Sequence, residues 1–313
     1  MTIQYLEPFS RGFERMKKAL FNPFDIKKWF VVGFTAFLSG LTDCHSGGSG
    51  SRSKGAVDWE DILFFPQRAW EWLSDHPVWA MAIAFGVVAL FVLGVLIMWW
   101  SARGKFMFLD NIVHDRSQVI APWNEFKVEG NSLFIWMLAL GAIFMTIFAL
   151  YIVPCIISLQ AMYESVDDIR SLLAPAIMWG LGLFGIVLIV GFIDLLLYDF
   201  VVLIMYRDRA KTLPALQKFW PLFLTNFPYF LGYALFRFVV IIVVIIGVAL
   251  IGLATCCVGF VFLAIPYINS VVLLPISYTM RAFNLSFFEQ FGPEFAIFPK
   301  PETAPPAADT PAV

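Results

Sequence analysis

The chain has 313 residues, 60% of them apolar and only 14% charged, with a formal net charge of −2. A soluble globular domain carries roughly 45–50% apolar and about 25% charged residues, so this composition falls outside the soluble range. The near-zero charge implies no nucleic-acid partner. Four Cys and three His form neither a C-x-x-C nor an H-x-x-x-H spacing, so no metal, cofactor or disulfide framework is expected.

The N-terminal 28 residues include Glu7, Glu14 and Asp25 before any long apolar run, unlike a signal peptide. A membrane span needs about 20 mostly apolar residues. The first candidate, at about 29–42, lies between Lys28 and Asp43 and is short. It either spans by snorkelling its flanking lysines or is re-entrant. An outer loop at 43–58 follows, with the linker-like run Ser46-Gly47-Gly48-Ser49-Gly50-Ser51. Trp59 to Leu73 then reads as an interfacial helix.

The second span, about 78–102, has Trp79 at one end and Trp99/Trp100 at the other. A rise of ~1.5 Å per residue puts them about 30 Å apart, the thickness of the hydrocarbon core. The third runs at about 133–154, and its apolar run continues past a kink expected at Pro154. The fourth, about 172–206, carries Asp194 and Asp199. The fifth and sixth, about 229–254 and 258–280, are interrupted only by Arg237 and turn near Thr255–Gly259. Residues 299–313 form a Pro/Ala-rich tail expected to be disordered. The expectation is an all-α, polytopic bundle of about six transmembrane spans with interfacial amphipathic helices, forming one domain over 1–298.

With six spans, sixteen Lys and Arg fall on one face and four on the other. The positive-inside rule then places both termini in the cytoplasm, in a membrane such as the bacterial inner membrane. Each inner segment also carries an apolar stripe at helical spacing. The stripes are Phe9/Phe13/Met16/Leu20, Phe106/Leu109/Val113, Leu213/Leu216/Trp220/Phe223 and Phe283/Phe287/Phe291. Such helices either lie among headgroups, where their basic residues attract anionic lipid, or pack on one another as connectors. A threefold unit of surface helix, span out, loop and span back would cover the chain, but no motif repeats at fixed spacing.

The candidate polar site is Asp194, Asp199, Arg237 and Asn269. A charge in hydrocarbon is costly and usually pairs or faces a wet cavity. Asp199 and Arg237 lie at matching depths on successive antiparallel spans, so an ion pair between them is expected. Asp194 faces another direction. Asn269, with Pro266, Ser270, Pro275 and Ser277, interrupts the sixth span. These residues read either as a relay or substrate site, or as devices that lock helices together. Cys44, His45, Cys256 and Cys257 should all lie near the outer face, where a disulfide from Cys44 to Cys256 or Cys257 is open in an oxidising compartment. No catalytic constellation appears.

The stretch RMKKALFNPFDIKKWFVVG from Arg15 to Gly33 resembles the opening of an uncharacterised family of prokaryotic polytopic membrane proteins. GKFMFLDNIVHDRSQVIAPWNEF within Arg103–Phe134 and RAFNLSFFEQFGPEFAIF from Arg281 to Phe298 add to the likeness. The family is similar in plan to the membrane domain that accompanies some glycerophosphodiester phosphodiesterases. The resemblance implies a multi-span protein and supplies neither an activity nor functional residues. Function is therefore expected to be non-catalytic, through lipid or partner contacts. The alternative is a small transporter or channel using Asp194, Asp199 and Arg237.

Overall fold

The computed structural model describes residues 3–42, 64–165, 173–255, 259 and 263–298. Their named elements are all helical: α1 (Leu6–Phe21), α2 (Ile26–Ser39), α3 (Phe65–Asp75), α4 (Pro77–Val113), α5 (Ile120–Glu125), α6 (Lys127–Ser165), α7 (Leu173–Leu196), a π turn (Leu197–Val201), α8 (Val202–Asp208), α9 (Thr212–Thr225), α10 (Phe227–Ala254), α11 (Pro266–Val272) and α12 (Leu274–Phe288). The linker at 43–58, Cys44, His45, Cys256, Cys257 and the tail 299–313 lie outside the described residues.

Local chemistry sets many helix boundaries. Asp25 caps α2 by accepting from the Lys27 amide at 2.8 Å. Proline occupies the first turn of α3, α4, α10, α11 and α12, where its missing N–H costs nothing. Arg209 stops α8 in a left-handed conformation, φ 50°. Pro154 lies inside a helix that continues to Ser165.

Among the described residues, four helices are long and apolar enough to cross a membrane: Pro77–Val113, Lys127–Tyr163, Leu173–Asp208 and Phe227–Ala254. A fifth candidate, Pro266–Val272 with Leu274–Phe291, is bent by 64°. Beside the six expected spans, length and apolarity single out four helices, or five with the bent pair, among the described residues. The segment at 29–42 falls on α2, whose 14 residues reach about 21 Å, short of the hydrocarbon thickness.

The long helices change character part-way. On α4, most apolar side chains from Val78 to Trp100 are exposed, whereas Ser101–Val113 are buried apart from half-buried Arg103. On the α7–α8 run, most side chains up to Leu195 stay at the surface, and Leu196–Tyr206 are buried apart from Tyr198. The same chain is therefore packed at one end and bare at the other. The bare end presents far more apolar surface than the few hundred Å² a soluble monomer tolerates.

The packed end gathers α1, α2, α9 and α12 around these lower helix halves. α2 runs antiparallel to lower α4: Lys28 pairs with Asp115 at 2.9 Å, Asn111 reaches Thr35 at 3.4 Å, and the Ser101 hydroxyl donates to the Ser39 carbonyl at 3.0 Å. The stripes expected on the inner segments mostly turn inward here. Phe106, Leu109, Val113, Phe283, Phe287 and Leu20 are almost wholly buried, so these helices pack on each other. On α9 the buried face is Thr212, Ala215, Phe219 and Phe223, and Leu213 and Trp220 point outward. In α1, Phe13 is exposed.

Two glycines set the closest crossings. A Cβ on Gly12 would stand 2.8 Å from the Phe283 amide nitrogen, and one on Gly104 would stand 2.6 Å from the Leu38 carbonyl carbon. Both obstacles are backbone, which cannot rotate away. Gly94, on the bare part of α4, has nothing within 4 Å. Gly104→Ala is expected to destabilise by about 1–3 kcal/mol. Gly94→Ala should be neutral or stabilising by up to about 1 kcal/mol. Thermal melts in detergent micelles check the order. Equal melting points would remove the α2–α4 contact from the account.

Candidate functional site

The π turn contains Tyr198 and Asp199. An extra residue in the turn widens the arc, and Leu197, Asp199, Phe200 and Val201 are all buried. Asp199 is fully buried. Its Oδ2 accepts from the Tyr233 hydroxyl at 2.9 Å and from Arg237 Nη1. Its Oδ1 accepts from Asn284 Nδ2 at 2.7 Å and lies 3.8 Å from Arg281 Nη1. Tyr233 also touches Asn284 Oδ1, and Arg281 Nη1 donates to the Tyr198 carbonyl at 2.8 Å. The five groups come from three elements: Asp199 from the π turn, Tyr233 and Arg237 from α10, Arg281 and Asn284 from α12.

Aromatic rings close the cluster off. Tyr233 stacks on Phe283 at 5.4 Å and meets Phe200 edge-on at 4.9 Å. Lys105 and Arg281 both lie over the Tyr198 ring, at 4.3 and 4.4 Å. The contact with Lys105 fixes the depth of the site. Tyr198 is level with a residue five positions beyond Trp100, where the exposed part of α4 has already ended. Asp199 therefore sits in the packed end of the protein.

The expected Asp199–Arg237 pair is present. Asp194 lies five residues earlier on the exposed side of α7. Asn269 lies on α11, which packs on α2 through Val271 and Gly33. The four candidates thus resolve into one ion pair and two residues on other surfaces. Sequence reasoning missed Tyr233, Arg281 and Asn284. Their signal was available in part: Arg281 and Asn284 are three apart and so share a helix face.

A second buried carboxylate was missed altogether. Asp110 on α4 is fully buried and holds Arg116 through both oxygens, with Nη2 at 2.8 and 2.7 Å and Nε at 3.0 Å. The Tyr206 hydroxyl donates to Oδ1 at 2.9 Å, and His114 Nδ1 lies 3.0 Å from the same oxygen. The hydrogen bond to Asp110 pushes the Arg116 pKa above its ordinary value, so the cation is held. Asp110 and His114 are one turn apart, but the segment read as an inner surface helix. Nothing in the spacing said that Tyr206, 96 positions on, would cover it.

The arrangement can hold charge and fix helices, and the Tyr206 hydroxyl also lies 3.3 Å from His114 Nδ1. Among the described residues no cluster of three His, Cys, Asp or Glu side chains could hold a metal ion. Such a helical assembly, with buried ion pairs at one end and bare apolar helices at the other, defines a class by architecture rather than chemistry. The chain belongs to a family of unknown function, DUF7544, whose sequence pattern matches residues 4–297. No curated protein and no solved structure shows a significant match.

Removing one partner of a buried pair strands the other, at roughly 3–5 kcal/mol. Asp199→Asn and Arg237→Gln should each destabilise strongly. The double variant should lose less than the sum, with a coupling of at least about 1 kcal/mol. Strict additivity in detergent unfolding would mean that the pair is not a unit. Asp110→Asn should likewise destabilise by more than about 2 kcal/mol. Asp115→Asn, whose pair with Lys28 is half-exposed, should change stability by less than about 1 kcal/mol. Melting points of the two variants decide between a structural and a peripheral Asp110.

Proposed function

We propose that the protein is an integral membrane protein that acts without catalysis, through contacts with lipid and with other membrane proteins. The observation that carries this reading is the saturation of Asp199: a fully buried carboxylate whose two oxygens are both occupied by protein donors. A transport site must exchange partners with an ion or substrate, whereas this carboxylate is packed among Phe200, Tyr233 and Phe283, and Arg237 carries the pair's remaining exposure. The bare halves of α4 and α10 supply a surface whose natural solvent is hydrocarbon or another apolar helix. The packed end carries Lys28, Lys105, Arg116, Arg209 and Lys218, in keeping with a cytoplasmic position under the positive-inside rule. On this reading both termini are cytoplasmic and the membrane is the bacterial inner membrane. Similarity in plan to the membrane domain of glycerophosphodiester phosphodiesterases fits the architecture and brings no activity with it.

One observation favours the transporter reading. The α11–α12 pair is bent by 64°, as in broken helices that line substrate sites, and Asn269 lies just before the bend. Water access separates the two. Single cysteines placed by Asp194→Cys, Asp199→Cys, Arg237→Cys and Asn269→Cys in a Cys-free background would meet a membrane-impermeant thiol reagent from each side. Protection at 199 and 237 is expected. Labelling at either would mean an aqueous path into the cluster, and transport would replace the present reading.

A further inference from the structure

Basic residues of the packed end divide into those paired with an acid and those, such as Arg103 and Arg15, held by rings and uncharged oxygens. Arg116 pairs with Asp110, Arg209 with Glu125, and Lys218 with Asp208. Among the described residues no carboxylate pairs with Arg103. Its guanidinium is nonetheless held firmly in place. It lies 4.5 Å from the Trp99 ring centre and 4.7 Å from that of Trp123, and the two indoles meet edge-on at 85°. Nε and Nη2 donate to Asn131 Oδ1 at 3.3 and 3.0 Å, and Trp99 Nε1 donates to the same oxygen at 3.1 Å. Gly130 makes room: a Cβ there would come within 2.9 Å of Arg103 Cγ.

This is a built site for a cation that lacks an anion. Two indoles and one amide oxygen orient the guanidinium but contribute no negative charge, and Nη1 is left over from the Asn131 bonds. Lys127 is exposed and one turn before Asn131 on α6, so a second cation flanks the same face. The place along α4 matters as well. Trp99 and Trp100 end the exposed apolar run, and Arg103 follows one turn later, where headgroups sit if that run spans. Leu96 and Trp100 beside it are exposed and apolar.

We propose that Arg103, with Trp99, Trp123 and Asn131, binds the phosphate of an anionic phospholipid, with an acyl chain lying along exposed α4. A planar guanidinium recognises phosphate oxygens with strong, charge-assisted hydrogen bonds, and the indoles keep it from collapsing onto the protein. The inference rests on the membrane reading above and names the lipid that reading leaves open.

The test uses the full chain in detergent. Thermal stabilisation is titrated with phosphatidylglycerol, phosphatidylcholine or inorganic phosphate, for the wild type, Arg103→Gln and Arg103→Lys. Phosphatidylglycerol should stabilise the wild type best. Its apparent affinity should weaken about tenfold or more in Arg103→Gln and by a smaller factor in Arg103→Lys. If Arg103→Gln does not fold, Arg103→Lys decides, because it keeps the charge and loses the fork. Equal stabilisation of all three proteins overturns the site. An equal response to phosphatidylcholine overturns the preference for anionic lipid. An equal response to inorganic phosphate makes it a free-anion site. Carbonate washing of membranes is run alongside. A chain released by the wash fails the membrane reading itself, whereas a retained chain indifferent to phosphatidylglycerol fails only this inference.

Discussion

One buried carboxylate ties the fold together. Asp199 bonds α10 through Tyr233 and Arg237 and α12 through Asn284, and its neighbour Tyr198 lies against Lys105 of α4 and Ser39 of α2. These residues are far apart in sequence, and only their common interest in one charge brings them to one point. Taking ions out of water costs several kcal/mol each, so such a cluster adds little to net stability. Its effect is on register. Sliding any of these helices by a turn would leave a charge buried without its partner, a far worse state than the native one.

The second constraint is a division of solvent along single helices. α4 is apolar throughout its first 24 residues and buried throughout most of its last 13, and the change occurs within one turn, at Trp100–Ser101. The packed end behaves like a soluble core, dense in Phe and closed by polar pairs. The bare end has few tertiary contacts to lose. This explains why Gly104 and Gly94, on the same helix, face opposite demands. It also explains why the apolar stripes of the inner segments do not stay at an interface. Phe106, Leu109 and Phe283 find deeper burial against one another than a headgroup layer provides.

Function follows from what the polar residues are already committed to. Asp199 and Asp110 are buried and bonded on both oxygens, and in the proposed reading they hold helices together. Arg103 is positioned with equal care by Trp99, Trp123 and Asn131 but balanced by no acid. That contrast turns attention from the centre of the protein to its rim, where lipid would be the missing partner.

The sequence alone determined the all-helical class, the long apolar segments and the Asp199–Arg237 pair. These rest on run lengths and on depth counted along a helix, which are local or nearly local quantities. It left the number of spans open, because the 14 residues between Lys28 and Asp43 look alike whether they cross hydrocarbon or pack on α4. Only the tertiary structure decided that Ser101–Val113 extend a membrane-type helix into a core. It also decided that a π turn widens the buried arc at Asp199, that Tyr206 covers Asp110, and that Arg103 sits between two indoles. Each of these depends on which distant segment comes alongside. Burial and pairing belong to the contact between helices, and no single stretch of residues carries that information.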